Sequence, residues 1–368
     1  MPTQQELSAL QRKCVSFSLD FELLPVEGEQ YPQDLIFTPA DMTGRYFKNI
    51  KGQRLLCAFI EQNDQEKPHV CFIPDFTRER MGEFYGLSGG NWTEQSIHWR
   101  NMQSNIKDMQ FSLDRLPHVD TVYCVGSGPA LMRNWRELEQ VKKNPRARII
   151  GCNELLQYLP AGLLDYYLAF DGCSPDKWWE KHDCSGTEAI FGPCIPPSFK
   201  LANWKRVLWF KIGLESKFNS YVRKHRPSLS TVIPIYGVGP TELSIAWHMK
   251  PKNIILVGHS YAYDRVNGII HEHINEPLTP ERWEGVLRSI AEFATTDING
   301  QPIVTDYHVL ITGMATLAAC QVLLDAGVRV INATEGGILR SNPALPAYAN
   351  KPIFPERAKL ADVVRELA

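Results

Sequence analysis

The sequence predicts an α/β fold, with a mostly parallel sheet that has helices on both faces and a smaller N-terminal α+β module before it. Two observations predict it. From residue 120 onward, short apolar segments alternate with helical segments, whereas residues 1–115 carry strand-like runs separated by polar loops with Pro and Gly. The later apolar segments are TVYCVG, ARIIGCN, DYYLAFDG, TEAIFGP, RVLWFKIG, TVIPIYG, NIILVGHS and VRVINATEGG.

The N-terminal module is predicted from three strand-like runs followed by a helical stretch. It shows no catalytic constellation, which favours a structural or partner-binding role. The segments are CVSFSLDFELL, RLLCAFIEQ, HVCFIPDF and TEQSIHWRNMQSNIKDMQF.

A hairpin interrupts the α/β alternation late in the chain. The stretch TTDINGQPIVTD places Asn299 and Gly300 between two short extended runs. Asn-Gly is a favoured pair in tight hairpin turns, because both residues tolerate positive φ. We therefore expect a β-hairpin here, inserted before a helix that begins near His308.

Composition narrows the class of protein. With 368 residues, 44% of them hydrophobic, the chain can bury a substantial core. Its formal charge of -2 gives no overall electrostatic case for a nucleic-acid partner. No apolar run approaches the roughly 18 to 20 residues of a membrane span, and MPTQQELSAL lacks the pattern of a secretory signal. We expect a cytoplasmic protein with no membrane span.

Polar residues collect at the carboxyl ends of the predicted strands. Ligands of open parallel sheets bind there, because the loops diverge and helix N-termini point free N–H groups outward. Six such ends in one domain predict a single crevice for an extended ligand. They are Gly126-Ser127-Gly128, Gly151-Cys152-Asn153, Asp171-Gly172, Gly237-Val238-Gly239, Gly258-His259-Ser260 and the stretch NATEGG at 332–337.

The first glycine turn does not match two common nucleotide motifs. A dinucleotide fingerprint needs a third glycine, where this chain has Leu131, and an acidic residue about 20 positions on, where the next strand ends in Asn153. No Walker loop occurs either. The backbone of this glycine turn can still approach a nucleotide closely, and Pro129 fits the first turn of the helix that follows. Asn153 can offer its side-chain amide to a base or a ribose.

Several stretches between residues 120 and 340 carry a family resemblance, in order and with compatible spacing. Together they resemble the 6-hydroxymethylpterin diphosphokinase MptE-like family, which includes the motility-associated factor (Maf) glycosyltransferases that attach nonulosonic acids to flagellin. The resemblance implies a Rossmann-like nucleotide-binding domain. The stretches are VGSGPAL, IIGCN, YYLAFDG, IILVGHSYAYD, DINGQPIVTD and VRVINATEGGIL.

The pattern is similar, more distantly, to bacterial sialyltransferases that use a CMP-activated donor without a metal. The likeness implies that Gly126, Ser127, Gly128 and Asn153 hold the nucleotide. The second asparagine position of those enzymes falls near Asp171, which is a departure, since a carboxylate there repels a phosphate unless it faces a hydroxyl, an amine or a cation.

The same likeness implies three catalytic residues. Tyr261 and Tyr263 fall where phenols contact the departing phosphate, whose charge such O–H groups can stabilise. His308, at the head of the late helix, falls where a histidine acts as base, and its ordinary pKa near 6.5 suits that role. The expected nucleotide contacts also include Gly237, Gly239 and Glu335. The alternative role for Glu335 is to hold its loop through hydrogen bonds to the backbone.

The leading hypothesis is therefore a CMP-nonulosonate glycosyltransferase with no required cofactor, whose partners are a nucleotide-sugar donor and a hydroxyl-bearing glycan or protein. A pterin diphosphokinase using ATP and Mg²⁺ is the alternative, and a non-catalytic binding protein of the same fold is the third. If a divalent metal binds, the candidates are Asp171, Asp264 and the cluster of His271 and His273 with Glu272 and Glu276. Formation of a homo-oligomer stays open.

The predicted domains are residues 1–115 (the N-terminal module), 116–345 (the Rossmann-like MptE/Maf-type domain) and 346–368 (a C-terminal tail and helix).

Overall fold

The computed structural model describes most of the chain from residue 92 onward and four short strands before it. The described residues are 22–23, 46–48, 54–62, 68–74, 92–172, 174, 178–212, 217–232, 237–266, 269–274, 276–277, 294–296, 302–304, 307–339 and 356–368.

The four N-terminal strands form one antiparallel sheet in the order β1-β2-β3-β4. Leu56 of β3 pairs with Ile73 of β4. The rest of the predicted N-terminal module, apart from a helix and a connection after residue 91, lies outside the described residues. The strands are β1 (Glu22–Leu23), β2 (Tyr46–Lys48), β3 (Arg54–Gln62) and β4 (Pro68–Pro74).

The main sheet contains eight parallel strands and confirms the predicted fold class. Its order is β19-β18-β12-β5-β6-β7-β8-β9. The strands are β5 (Thr121–Val125), β6 (Ala147–Cys152), β7 (Tyr166–Ala169), β8 (Glu188–Phe191), β9 (Arg206–Trp209), β12 (Asn253–Val257), β18 (Arg329–Asn332) and β19 (Glu356–Arg357).

Smaller sheets lie between these strands in the sequence. Of residues 231–237, predicted as one strand, the described part gives a two-residue strand, which pairs in parallel with a short extension of the β9 segment; residues 233–236 lie outside the described residues. The hairpin prediction is confirmed by antiparallel β16 and β17, although Asn299 and Gly300 lie outside the described residues. These strands are β10 (Lys211–Ile212), β11 (Thr231–Val232), β13 (Asp264–Val266), β14 (Ile269–His273), β15 (Glu276–Pro277), β16 (Ala294–Thr296) and β17 (Pro302–Val304).

The described part of the chain forms seven α-helices. The helix expected near His308 is α6, which begins at Tyr307. No described helix combines the length and the apolar character that a membrane span requires. The helices are α1 (Trp92–Asn105), α2 (Leu138–Val141), α3 (Leu155–Tyr158), α4 (Lys217–His225), α5 (Val238–His248), α6 (Tyr307–Asp325) and α7 (Leu360–Glu366).

Helices cover both faces of the main sheet, which explains why its central strands carry buried apolar residues on both faces. In β5, Val122 and Cys124 belong to one buried cluster, and Tyr123 and Val125 belong to another. Side chains alternate between the faces of a strand, so a sheet buried on both sides needs apolar residues in both phases. Residues of α5 and α6 complete the first cluster, and those of α2, α3 and α7 complete the second.

Two segments beyond the predicted central domain also contact the main sheet. Helix α1 is fixed to it by two asparagine amides, because Asn101 donates to Gly172 O at 3.0 Å and Asn105 donates to Ile195 O at 2.7 Å. At the other end of the chain, β19 adds a strand beside β18, and α7 packs into the core. The predicted domain boundaries themselves stay predictions.

Candidate functional site

The candidate site lies at the topological switch point of the main sheet, between β5 and β12, where the strand order reverses. From β5 the chain proceeds outward through β6, β7, β8 and β9, then returns to place β12 on the other side of β5. Loops on the two sides of this point leave in opposite directions, and ligands of open α/β sheets bind in the crevice between them. Residues 126–128 and 258–260 are the two strand ends at this switch point.

Direct hydrogen bonds join these two loops. Gly126 N–H donates to Val257 O and Gly128 N–H donates to Gly258 O, both at 2.8 Å. The hydroxyl of Ser260 accepts from Ala130 N–H at 3.2 Å. Two N–H groups of the glycine turn and one of the helix after it are therefore engaged within the protein, and the nucleotide contact of the turn stays a prediction.

Close packing of the loops accounts for Gly128. A Cβ at this position would clash with the carbonyl oxygen of Gly258 and lie 2.6 Å from Ser260 Oγ. The segment after it is a five-residue 3₁₀ helix, Pro129–Arg133, with Pro in its first turn as expected. The N–H of Ala130 in this helix donates to Ser260, so one N–H group of its first turn is engaged within the protein.

A buried polar network, which the sequence reasoning missed, lies beside the switch point. Glu242 of α5 is fully buried, and its Oε2 lies 3.3 Å from Nε2 of His259, which is 3% exposed. Glu242 Oε1 accepts from Val125 N–H at 2.9 Å, which ties the carboxyl group to the end of β5. Burial raises the pKa of Glu242, and contact with His259 and Val125 opposes that rise.

The network continues through Tyr261 to α6. His259 Nδ1 lies 3.0 Å from Tyr261 Oη, which is hydrogen-bonded to Thr316 Oγ1 at 2.8 Å. The Thr316 hydroxyl also bonds Thr312 O at 2.8 Å. Because a hydroxyl has one proton, Thr316 donates to Tyr261 Oη or to Thr312 O at any one time. In either case Tyr261 Oη joins His259 to α6.

Tyr261 adopts a conformation that the sequence does not reveal. Its φ is 48°, in the left-handed region, so the chain from Gly258 to Tyr263 is not a continuous extended strand. The phenol points towards Gly239, where any Cβ would clash with its oxygen. Burial raises the pKa of Tyr261 well above its ordinary value, so the phenol stays protonated. Tyr263 is buried as well.

Helix α6 brings the predicted base position to the same region. Thr312 contacts the position of Gly237, whose φ is 118°, and Thr316 bonds Tyr261. His308 precedes Thr312 by four residues and therefore occupies the same helix face one turn earlier. Its side chain lies outside the described residues.

The remaining nucleotide-contact candidates lie at neighbouring strand ends. Asn153 follows β6 with a φ of 54°, and its carbonyl accepts from Tyr167 Oη at 2.8 Å. Asp171 follows β7, is exposed, and lies 3.7 Å from Nε2 of His98 in α1. The buried Ser127 accepts from Ile274 N–H at 2.8 Å through its carbonyl.

Glu335 makes the contacts of a residue that holds its loop. Its φ is 60°, and its Oε1 accepts from Asn134 Nδ2 at 2.8 Å and from Leu360 N–H at 2.9 Å. The first of these bonds fixes the segment after the glycine turn, and the second fixes the start of α7. Its role as a ligand contact stays a prediction.

The candidate metal residues are placed only in part. In the β13–β14 register Asp264 is opposite His271, and His273 follows two positions later. Their side chains lie outside the described residues. Within the described part of the chain, no group of three or more His, Cys, Asp or Glu residues is arranged to hold a metal ion.

Comparison with known proteins gives a structural similarity. No family model matches the chain, and no curated protein matches it. A solved structure is similar. This MAf glycosyltransferase from Magnetospirillum magneticum AMB-1 gives a TM-score of 0.46 at 14% identity, over 73% of this chain and 40% of that one. This chain thus spans about two fifths of that protein's length. The activity of this chain is therefore treated as a proposal.

Proposed function

We propose that this chain is a transferase that binds an activated nucleotide at the β5/β12 switch point, and more specifically a CMP-nonulosonate glycosyltransferase that acts on a hydroxyl acceptor. The observation that carries the proposal is the meeting of four elements at one place. The loop after β5, the loop after β12, the first residues of α5 and one face of α6 contact one another there.

The position of the crevice supports nucleotide binding. It lies at the carboxyl ends of the central strands, where doubly wound sheets bind their ligands. Asn153 and Asp171 end the next two strands along the sheet, so a ligand extending from the switch point reaches both. The amide of Asn153 suits a base edge, and Asp171 suits a ribose hydroxyl.

The proposed chemistry is displacement of CMP by an acceptor hydroxyl. His308 takes the proton of that hydroxyl, the new glycosidic bond forms, and the bond to the CMP phosphate breaks. Tyr263 faces the departing phosphate. Tyr261, whose phenol bonds His259 and Thr316, acts as a positioning residue that fixes the loop after β12 against α6. This division of roles follows the family resemblance and the direction of the Tyr261 phenol.

One observation favours the second candidate, a pterin diphosphokinase. The strand register sets Asp264 opposite His271, so an acidic residue and a histidine hold paired positions on neighbouring strands. Mg²⁺ bound there would neutralise the phosphates of ATP during diphosphate transfer. This candidate therefore depends on a divalent cation, whereas the glycosyltransferase does not.

The test measures release of CMP from a CMP-nonulosonate in the presence of a hydroxyl acceptor and excess chelator. We expect turnover in the wild type and a loss of about 10²- to 10⁴-fold in kcat for His308→Ala, with binding of CMP retained. His118→Ala is the matched control and should match the wild type. Turnover that requires ATP and Mg²⁺, with none from CMP-sugars, would establish the diphosphokinase instead.

A further inference from the structure

A cavity of about 400 Å³ lies at the opposite end of the main sheet from the crevice. It is lined by residues at the starts of four consecutive strands, among them Arg148 of β6, Tyr166 of β7, Glu188 of β8 and Arg206 of β9. These are the amino ends of the strands, whereas the switch-point loops leave the carboxyl ends. The cavity is therefore a separate feature that the proposed transferase reaction does not use.

The strand register places the lining residues on one face of the sheet. Tyr166 pairs with Glu188, and Glu188 pairs with Arg206. Register partners in a parallel sheet point to the same side. Arg148 shares this side, because it lies two residues before Ile150, the partner of Tyr166. The cavity thus has a continuous floor built from four adjacent strands.

A 3₁₀ helix, Leu113–Arg115, covers the same face. Leu113 and Leu116 are buried in the hydrophobic cluster that includes Tyr166. These two leucines flank Arg115, which lines the cavity. The packing of its neighbours thus holds Arg115 beside the cavity that Arg148 also lines.

The lining carries more positive than negative charge. It includes four basic residues and two carboxylates, Asp165 and Glu188. Glu188 is occupied, since its Oε2 accepts from Arg206 at 3.0 and 2.6 Å, and its Oε1 lies 3.7 Å from Lys205 Nζ. Asp165 is occupied as well, by Lys142 Nζ at 2.5 Å and by Ile149 N–H at 2.8 Å. Both carboxylates are thus committed to partners.

Arg115 and Arg148 supply the excess charge. Within the described residues, neither forms an ion pair with a carboxylate. Arg148 Nη1 donates to the carbonyl oxygens of Pro145 at 2.9 Å and Ala147 at 2.6 Å, which fixes the guanidinium without neutralising it. A guanidinium held in place with free N–H groups is the side chain that best matches a phosphate oxygen pair.

We propose that this cavity binds a small molecule through a phosphate group, held by Arg115 and Arg148, at a site distinct from the crevice. Its volume is within the range of small-molecule sites. Tyr166 adds a neutral donor at the floor, because burial raises its pKa to about 12 and the phenol keeps its proton. A polar, cationic lining selects a charged ligand over an apolar one.

The test uses inorganic phosphate as the probe. The thermal unfolding midpoint is followed against phosphate concentration at constant ionic strength, with chloride as the replaced anion, and the concentration dependence gives Kd. Wild type, Arg148→Gln and Arg115→Gln are compared with Lys224→Gln, which removes an exposed cation from α4. All four proteins are first checked for an unchanged circular dichroism spectrum.

We expect saturable stabilisation of the wild type and of Lys224→Gln, with a Kd weakened about tenfold or more in Arg148→Gln and Arg115→Gln. Equal responses in all four proteins, or no saturable response in the wild type, would overturn the proposal. Arg115 is exposed, so Arg115→Gln alone decides the matter if Arg148→Gln does not fold. Any phosphate that binds in the crevice would stabilise the wild type and all three variants equally, so it does not affect the differences between them.

Discussion

Glu242 Oε2 lies 3.3 Å from His259 Nε2 in the buried region beside the switch point. The carboxyl group comes from α5 and the imidazole from the loop after β12, so the contact joins a helix to the end of a central strand. Groups so deeply buried must share a proton or form an ion pair, since an isolated buried charge is very costly.

The first prediction concerns the dependence of stability on pH. Because the pKa of Glu242 is raised by folding, its stabilising contribution is complete below its ordinary pKa of 4.5 and is lost as the pH rises through the folded value. The free energy of unfolding of the wild type should therefore fall, relative to that of Glu242→Gln, between pH 4.5 and neutrality. Urea titrations across this range measure the difference.

Glu139→Gln provides the control, since Glu139 is exposed on α2. Its stability difference from the wild type should not vary with pH in this way. If the curves of Glu242→Gln and the wild type run parallel over the whole range, folding does not raise the pKa of Glu242.

The second prediction concerns the Tyr261 hydroxyl. Tyr261→Phe removes one oxygen and leaves His259 Nδ1 and Thr316 Oγ1 without their shared partner. A buried polar group left unpaired costs about 1–3 kcal/mol, and we expect a loss of that size in the free energy of unfolding. Tyr221→Phe, in the partly exposed α4, should change stability by less than about 0.5 kcal/mol. Equal effects of the two substitutions would show that the network does not stabilise the fold.

The third prediction tests the packing of the two switch-point loops. Gly128→Ala places a methyl group against the Gly258 carbonyl and Ser260, so backbone must move, at a cost of about 1–3 kcal/mol. Gly186→Ala is the matched control, because its Cβ would make only an ordinary contact, 3.4 Å from Gly162 Cα. Chemical denaturation distinguishes the two. A Gly128→Ala variant as stable as Gly186→Ala would mean that the loops can separate without loss.

Local sequence patterns predicted most of the strands of the main sheet, whereas features set by tertiary packing were not predicted. The apolar strand segments predicted β5, β6, β7, β8, β9, β12 and β18, because a sheet buried on both faces leaves continuous apolar runs. Residues 231–237 were also predicted as a strand, and their described part, Thr231–Val232, pairs with β10 rather than with the main sheet. A run of valine and isoleucine predicts an extended segment but does not reveal which strand it pairs with.

Two of the six strand ends predicted to form one crevice, residues 126–128 and 258–260, lie together in the structure. The buried Glu242 beside them was overlooked, since a glutamate in a helix usually faces solvent. One signal was available, namely that Leu243, Ile245 and Ala246 follow it in a mostly apolar helix. The left-handed φ of Tyr261 could not be foreseen, because tyrosine rarely adopts it and only the surrounding contacts impose it.

The most direct measurement of the central claim is the thermal unfolding midpoint with CMP, CDP, ATP and GTP, each with and without Mg²⁺. A ligand that binds only the native state raises the midpoint, because it adds about 2.7 kcal/mol to the free energy of unfolding when its concentration is 100 times its Kd. The proposed function predicts a rise with the cytidine nucleotides that is independent of metal. A rise confined to a purine triphosphate with Mg²⁺, or no rise with any nucleotide, would contradict it.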